Sequence, residues 1–564
     1  MRVAAAQLAV TTDVAANLDA CRRLIGQAAQ AQASLVVLPE FCNHPAWYQD
    51  QAAAQAVAVT SGDHWLSGIA QAAAAGHIWV MVNATRRADD GRVFGSNFLF
   101  DDAGVLVTVT DKQVLMGGES LFLSVADQAA APVDTPLGRL GLYSCMDGVI
   151  NETPRGLALR GAQVLCNSLN SFALDEASLH IPVRAAENRV FVVAANKVGP
   201  LLGPETTVEV AAKLQLDPGA LVGAGESQIV APDGTVLAMG PRTGEAIVVA
   251  DIDVSDADDK RRPDGTDRFA VRRPTLYADL AKAPLGRTRP AGAPVLTAAV
   301  IQPDDSGEGT SGLLEQIGRA AGHAAIIVLP ELATEPGGIV TDVHEAVARG
   351  AEFRERVAKA LTGTTAVVVT SVAEFAGEGL AHVGLVISAN GVESRSIQMH
   401  RWARHSWVDA VGSGVSVVDL PWGRLATIVG DDITLPESAR LAALAEADVL
   451  AVPFAAQEPW EVTTGLLERA AENRLCLVAA TRPGPNGSSR ICSLERDFTL
   501  WTAWSERSFD GRISHPLVTE APNVAGTTAA RIHPAAAANR VLTRETDVVD
   551  SRPWQLLDAI VTVS

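Results

Sequence analysis

The stretch Arg139-Leu-Gly-Leu-Tyr-Ser-Cys145-Met-Asp-Gly-Val-Ile-Asn-Glu152-Thr-Pro-Arg155 reads as a buried strand that stops at a cysteine and turns into a helix. Leu140, Leu142 and Tyr143 supply the apolar strand. Thr153 reads as an N-cap and Pro154 as a first helical residue, where the missing N–H costs nothing. Cys145 then stands at a strand-to-helix elbow, lifted out of the sheet beside backbone N–H groups, a setting that favours a thiolate and a developing oxyanion. A free cysteine alone is more often a small buried hydrophobe, so the elbow needs partners from elsewhere in the chain.

Upstream, residues 2–10 read as a first strand, because polar Gln7, Thr11, Thr12 and Asp13 leave the apolar run too short for a leader. Residues 15–32 have the spacing of an amphipathic helix, and 33–38 form an almost continuously apolar, central strand. That strand delivers Pro39 and Glu40 to its carboxyl end, where ligands collect in open α/β sheets. A strand over 105–110 leads in the same way to Asp111 and Lys112. Beyond the elbow, strands over 162–167 and 190–195 flank a helix over 178–189, and Asp233-Gly234 turns a hairpin.

The pattern then repeats. Ile326-Ile-Val-Leu-Pro-Glu331 echoes Leu35-Val-Val-Leu-Pro-Glu40, and Arg184-Ala-Ala-Glu-Asn-Arg189 recurs unchanged as Arg469-Ala-Ala-Glu-Asn-Arg474. A repeat of this length divides the chain into 1–282 and 295–564, joined by a Pro-, Ala- and Gly-rich linker over 283–294. Aligning Gly423 through Ser438 with Gly138 through Thr153 puts Gly430 in place of Cys145. Counting from Gly391, matched to Gly104, puts Met399 at the position of Lys112, with His400 or Arg401 as shifted alternatives. Only Glu331 survives, so the second half is expected to be a degenerate copy that keeps the fold. His400, Arg401, Trp402, His405 and Trp407 crowd together there, as a core or interface or as a ligand site.

Composition narrows the function classes. The 564 residues are 48% hydrophobic and 20% charged, with a net charge of −20, which argues against nucleic acid or an anionic membrane as partner. No apolar run is long enough to span a bilayer. The six cysteines show no paired or metal-type spacing, which fits a reducing cytoplasm.

Glu40, Lys112 and Cys145 thus stand at three strand ends. A carboxylate in an apolar cleft can deprotonate a thiol, and an ammonium can stabilise the negative charge formed when that thiol attacks an amide or nitrile carbon. With Leu38-Pro39-Glu40-Phe41, Asp111-Lys112, Cys145-Met146-Asp147 and the Arg184–Arg189 helix in this order, the sequence resembles the nitrilase superfamily of carbon–nitrogen hydrolases. The resemblance implies two tandem α-β-β-α sandwiches, thiol chemistry, and neither metal nor organic cofactor. It makes Glu40 the general base, Lys112 the oxyanion stabiliser, Cys145 the nucleophile, and Glu119 a second glutamate that orients the amine. Met146, Asn170, Trp47 and Tyr48 are the expected substrate-binding residues, with Asn43, His44, Ser171 and Phe172 as further walls. Cys145-Met-Asp147-Gly148 looks closer to amidases and formamidases than to the Trp-Glu text of nitrilases. The expected substrates are therefore a small carboxamide or carbamoyl compound and water, with a nitrilase, or a non-catalytic scaffold, as alternatives. Such proteins associate beside the cysteine strand, so the two halves are expected to form a pseudo-dimer within one chain, with room for a further homo-oligomer.

Overall fold

A computed structural model describes residues 1–214, 216–304 and 309–563. The first half has fourteen strands: β1 (Arg2–Gln7), β2 (Leu35–Val37), β3 (Trp79–Arg87), β4 (Val93–Phe100), β5 (Leu106–Asp111), β6 (Val133–Thr135), β7 (Gly138–Ser144), β8 (Val164–Ser168), β9 (Phe191–Ala195), β10 (Val198–Pro200), β11 (Val222–Ala224), β12 (Gln228–Val230), β13 (Val236–Met239) and β14 (Ala246–Asp251). Twelve of them build two six-stranded sheets, ordered β14-β1-β2-β3-β4-β5 and β13-β12-β9-β8-β7-β6. Alternate residues of β1, β2 and β3 (Val3, Ala5, Leu35, Val37, Met81) pack against Leu140, Leu142, Val164, Cys166 and Val193 of the other sheet, making one dry core between them. The opposite faces are covered by helices: Val14–Gln30 and His64–Gly76 on the first sheet, Glu152–Leu159 and Ile181–Asn188 on the second. This is an α-β-β-α sandwich, and residues 296–532 build it again with sheets of the same order.

Local details depart from the sequence reading. Thr153 is not an N-cap. A short helix, Met146–Val149, follows Cys145 directly, and the next begins at Glu152, so Thr153 lies inside it with its hydroxyl buried and unpaired. Helices Gln51–Val57 and Pro204–Leu214 were not foreseen in the sequence, where alanine-rich or mixed text carries little apolar period. Among the described residues, no helix is long and apolar enough to cross a membrane.

The two halves meet through their elbow-side helices in a reciprocal pattern. Arg155 Nε donates to Glu437 at 2.9 Å and Arg440 Nε donates to Glu152 at 2.9 Å. Arg184 pairs with Glu472 at 2.8 Å and Glu468 at 2.5 Å, while Arg469 pairs with Glu187. Except at Glu468, whose repeat position is Val183, the residue in one half and its repeat partner in the other swap roles, as across a two-fold axis. Apolar residues from both sides, including Met146, Val149, Ile150, Val183, Ala439, Leu466 and Ala470, complete a shared core.

These charges are fully buried, so removing one partner strands the other. Arg440→Met is expected to lower unfolding free energy by about 3–5 kcal/mol in chemical denaturation, and adding Glu152→Met should recover most of the loss.

Candidate active site

Glu40 lies three residues past the end of β2, with its amide donated to Leu169 O at 3.1 Å. Phe41 follows with φ +51°, held by a bond from its amide to Asn83 Oδ1 at 2.9 Å. Lys112 leaves β5 with its amide on Gly95 O at 2.9 Å. Cys145 leaves β7 with φ +47°, a strained conformation for a residue with a side chain, and with its amide bound to Ser168 O (2.9 Å) and Asn167 Oδ1 (3.1 Å). Asp147 ties two of these ends together. Its Oδ1 accepts the amides of Gln113 (3.0 Å) and Val114 (2.8 Å), and its Oδ2 accepts that of Ser144 (3.2 Å).

Lys112 Nζ stands 2.8 Å from Glu40 Oε1 and donates hydrogen bonds of 3.1 and 2.8 Å to the two oxygens of Glu119. Glu119 is fixed in turn by the Met116 amide at 2.9 Å. Burial lifts the Glu40 carboxyl to about 7 against the pull of Lys112. Lys112 is raised well above the ordinary lysine value, because Glu119, Glu40 and Cys145 outweigh its burial. Burial, then Glu40 and Glu176, raise the Cys145 thiol well above its ordinary value. The elbow therefore holds a thiol at rest, not the thiolate expected from the sequence. Its own N–H, already doubly engaged, is not a free oxyanion donor. The arrangement is a protonated thiol beside a poised carboxylate and a fixed ammonium.

Two cavities meet here. One is lined by Cys145, Met146, Val149, Asn170, Ser171 and Phe172, and the other by Trp47, Glu119, Asn170, Phe172, Leu201 and Trp501. Trp47 stacks obliquely on Trp501 of the second half, with ring centres 5.7 Å apart. Tyr48 is not part of either wall. It is buried edge-on against Phe122, with its hydroxyl on Thr85 at 2.7 Å. Asn43 also serves the framework, bonding Val57 O and the Thr85 amide, and His44 bonds Pro45 O. Lys197, just past β9, was not singled out in the sequence, though it sits at a strand end like the others. It is buried, lies 5.9 Å over the Phe41 ring that Lys112 also faces at 5.7 Å, and is lowered by burial to about 8.

In the second half, Gly430 occupies the elbow with φ +57°. The position of Lys112 is taken by Gln398, not Met399. Gln398 bonds His382 O as Lys112 bonds Gly95 O, and Asp432 accepts the Met399 amide as Asp147 accepts that of Gln113. The miscount has a physical source. Between the paired residues Phe100 and Leu106 the turn is 101–105, whereas between Ile387 and Val392 it is 388–391, one residue shorter. His405 stands in the place of Glu119, each amide bonding the carbonyl three residues back. Arg404 pairs with both Glu331 and Asp431. His400 and Trp402 both anchor on Asp432 Oδ1, at 2.8 and 2.9 Å, so they brace the elbow at Gly430.

Among the described residues, Glu331, His382 and His405 form a group with metal-like spacing, their ligand atoms all within 4.8 Å of one another. Burial together with the positive charge of Arg404 lowers both imidazoles to about 3. Arg404, which pairs with Glu331, puts a positive charge beside this group.

Restoring a thiol at Gly430 is not expected to restore a site. A Cβ there would lie 2.6 Å from Glu331 Oε2 and 3.0 Å from Gln398 Nε2, at a φ that side chains resist. Gly430→Cys should cost about 1–3 kcal/mol in thermal or chemical unfolding and stay unmodified by iodoacetamide in the native chain.

The family model described as carbon–nitrogen hydrolase matches residues 2–262 and again 297–503. A nitrilase from Pyrococcus abyssi is 27% identical over 265 residues, 46% of this chain and 92% of that protein. A chloroplastic omega-amidase from Arabidopsis thaliana is 26% identical, over 45% of this chain and 68% of that protein. Among solved structures, a variant of an amidase from Nesterenkonia sp. AN1 aligns with 22% identity over 50% of this chain and 96% of its own, at a TM-score of 0.40. With both halves matched, the chain belongs to the carbon–nitrogen hydrolase family.

Proposed function

We propose that the first half hydrolyses the C–N bond of a small carboxamide or carbamoyl compound through an acyl-enzyme on Cys145. The observation that carries this reading is the position of Lys112 Nζ, 2.8 Å from Glu40 and from Glu119, beside a thiol on a strained elbow that opens into a cavity. Glu40 takes the thiol proton as Sγ attacks the amide carbon, and Lys112 stabilises the resulting oxyanion. Glu119 holds Lys112 and faces the departing amine. Collapse of the tetrahedral intermediate breaks the C–N bond, with the proton passing from Glu40 to the amine, which leaves as ammonia or a free amine. Water, deprotonated by Glu40, then attacks the thioester and releases the carboxylic acid and the thiol. Cys145-Met-Asp147 favours amides over nitriles. Asp147 serves in this reading as a brace that fixes Lys112 relative to the elbow. Residues 1–282 form the working unit in this reading, with 283–294 a linker and 295–564 a silent partner.

The test follows ammonia release from amides, carbamoyl compounds and nitriles. Turnover of amides or carbamoyl compounds is expected, with loss of at least about 10³-fold in Cys145→Ala. Activity retained by that variant, or confined to nitriles, would contradict the proposal. Because the base must be ionised and its carboxyl titrates at about 7, kcat/KM should rise about tenfold per pH unit below 7 and level off above it. Glu119→Gln, which keeps the shape but removes the charge, should lower kcat by about 10²-fold or more.

A further inference from the structure

We propose that the silent second half forms the far wall of the Cys145 cavity and sets the length of acyl group that the cysteine accepts; this rests on the hydrolase reading above. The cavity beside Cys145 is closed on its far side by Ile513, Leu542 and Val548, all from the second half. It leaves about 40 Å³ for the centres of water-sized groups, room for a short apolar chain. The adjoining cavity contains Glu119 and Trp47 and is capped by Trp501, again from the second half. If the amine departs on the side of Glu119, the acyl group points into the apolar chamber bounded by Met146, Val149 and Leu542.

Loop lengths show where this wall comes from. In the first half, β12 and β13 are joined by residues 231–235. In the second half the corresponding strands, Arg490–Ser493 and Leu517–Glu520, are joined by 494–516. The longer connection carries Trp501, Phe509 and Ile513, and it packs onto the first half, with Trp501 against Trp47 and Phe509 against Phe172. The opposite asymmetry holds one strand earlier. The first half spends residues 196–227 between β9 and β12, where the second spends 481–489. From that longer loop come Leu201, Leu202 and Leu221, in the same cavity wall as Trp501. Both expansions converge on the site that has a nucleophile.

The wall is fixed in place by bonds that cross between the halves. Asp175 Oδ2 accepts the amides of Ile513 (2.8 Å) and Ser514 (2.6 Å), and the Leu174 amide donates to Gly511 O at 2.8 Å. Buried His180 bonds Ser514 Oγ at 3.1 Å. On the other side, the Gly117 amide, two residues before Glu119, donates to Thr546 Oγ1 at 2.8 Å, and Thr546 donates to Leu115 O at 3.1 Å. The hairpin Val541–Thr543 with Thr546–Asp547, which carries Leu542, is thereby bonded to the segment that holds Glu119. A wall bonded at these points is preorganised, and its side chains decide what fits.

The experiment uses the full chain and unbranched primary amides from acetamide to hexanamide. Acylation of Cys145 by the p-nitrophenyl esters of the same acids is read in parallel by intact mass. Leu542→Ala should raise the hexanamide-to-acetamide ratio of kcat/KM at least about tenfold, and Leu542→Phe should lower it, since one or two methylenes in an apolar pocket discriminate by factors of this order. Ile513→Val, which removes one methyl group and keeps the crossing bonds, should move the ratio in the direction of Leu542→Ala by a smaller factor. Ratios within twofold of the parent in all three variants, with Cys145 still acylated, would overturn the wall and leave the hydrolase reading standing. A parent chain that turns over no amide and takes no acyl group on Cys145 would overturn both.

Discussion

The structure depends on a set of buried arginine–glutamate pairs exchanged between two halves of one chain. Arg155 reaches Glu437 and Arg440 reaches Glu152, each from the helix that follows an elbow. A buried charge is tolerated only with its partner, so neither elbow helix can shift without stranding a charge in the core. Each half thereby completes the buried charges of the other. Glu437 and Arg440 in the second half pair with Arg155 and Glu152 behind the elbow at Cys145. Arg469 and Glu472 do the same for Glu187 and Arg184.

The elbow at Gly430 differs from the one at Cys145 in more than its side chain. Cys145 holds a left-handed φ despite its side chain, whereas Gly430 holds nearly the same φ without that penalty. Gln398 stands where the first half has Lys112, and a different cation, Arg404, pairs with Glu331 from the position of Gly118. The two histidines nearby are kept uncharged by burial and by that arginine. The result is a cluster in which Arg404 pairs with both Glu331 and Asp431. The expanded connection over 494–516 is instead laid across the neighbouring cavity.

Much of this was legible in the sequence where packing constrains every residue. The unchanged Arg184–Arg189 and Arg469–Arg474 segments are buried except at Arg189, so the repeat stands out and predicts the tandem architecture. Glu40, Lys112 and Cys145 stand out in the sequence because each follows an apolar strand, and in the structure Lys112 Nζ lies 2.8 Å from Glu40 Oε1. The failures also have physical causes. Thr153 looked like a helix start, but the chain enters that helix from another short helix and needs no cap. Tyr48 looked like a cavity wall because of its neighbours, yet its hydroxyl finds Thr85 behind the site. Met399 was placed one residue off because a turn shortened by one residue moved the matched glycine. Nothing local in 494–516 or 541–549 could announce that these segments close a cavity in the other half, since that contact exists only in three dimensions.

The central claim is that one of two similar elbows carries out covalent chemistry and the other does not. The most direct measurement is the mass of the full chain quenched in acid during turnover of an amide substrate, followed by peptide mapping. The account predicts a single added acyl group, on Cys145. Turnover with no adduct, or an adduct mapped to residues 295–564, would contradict it.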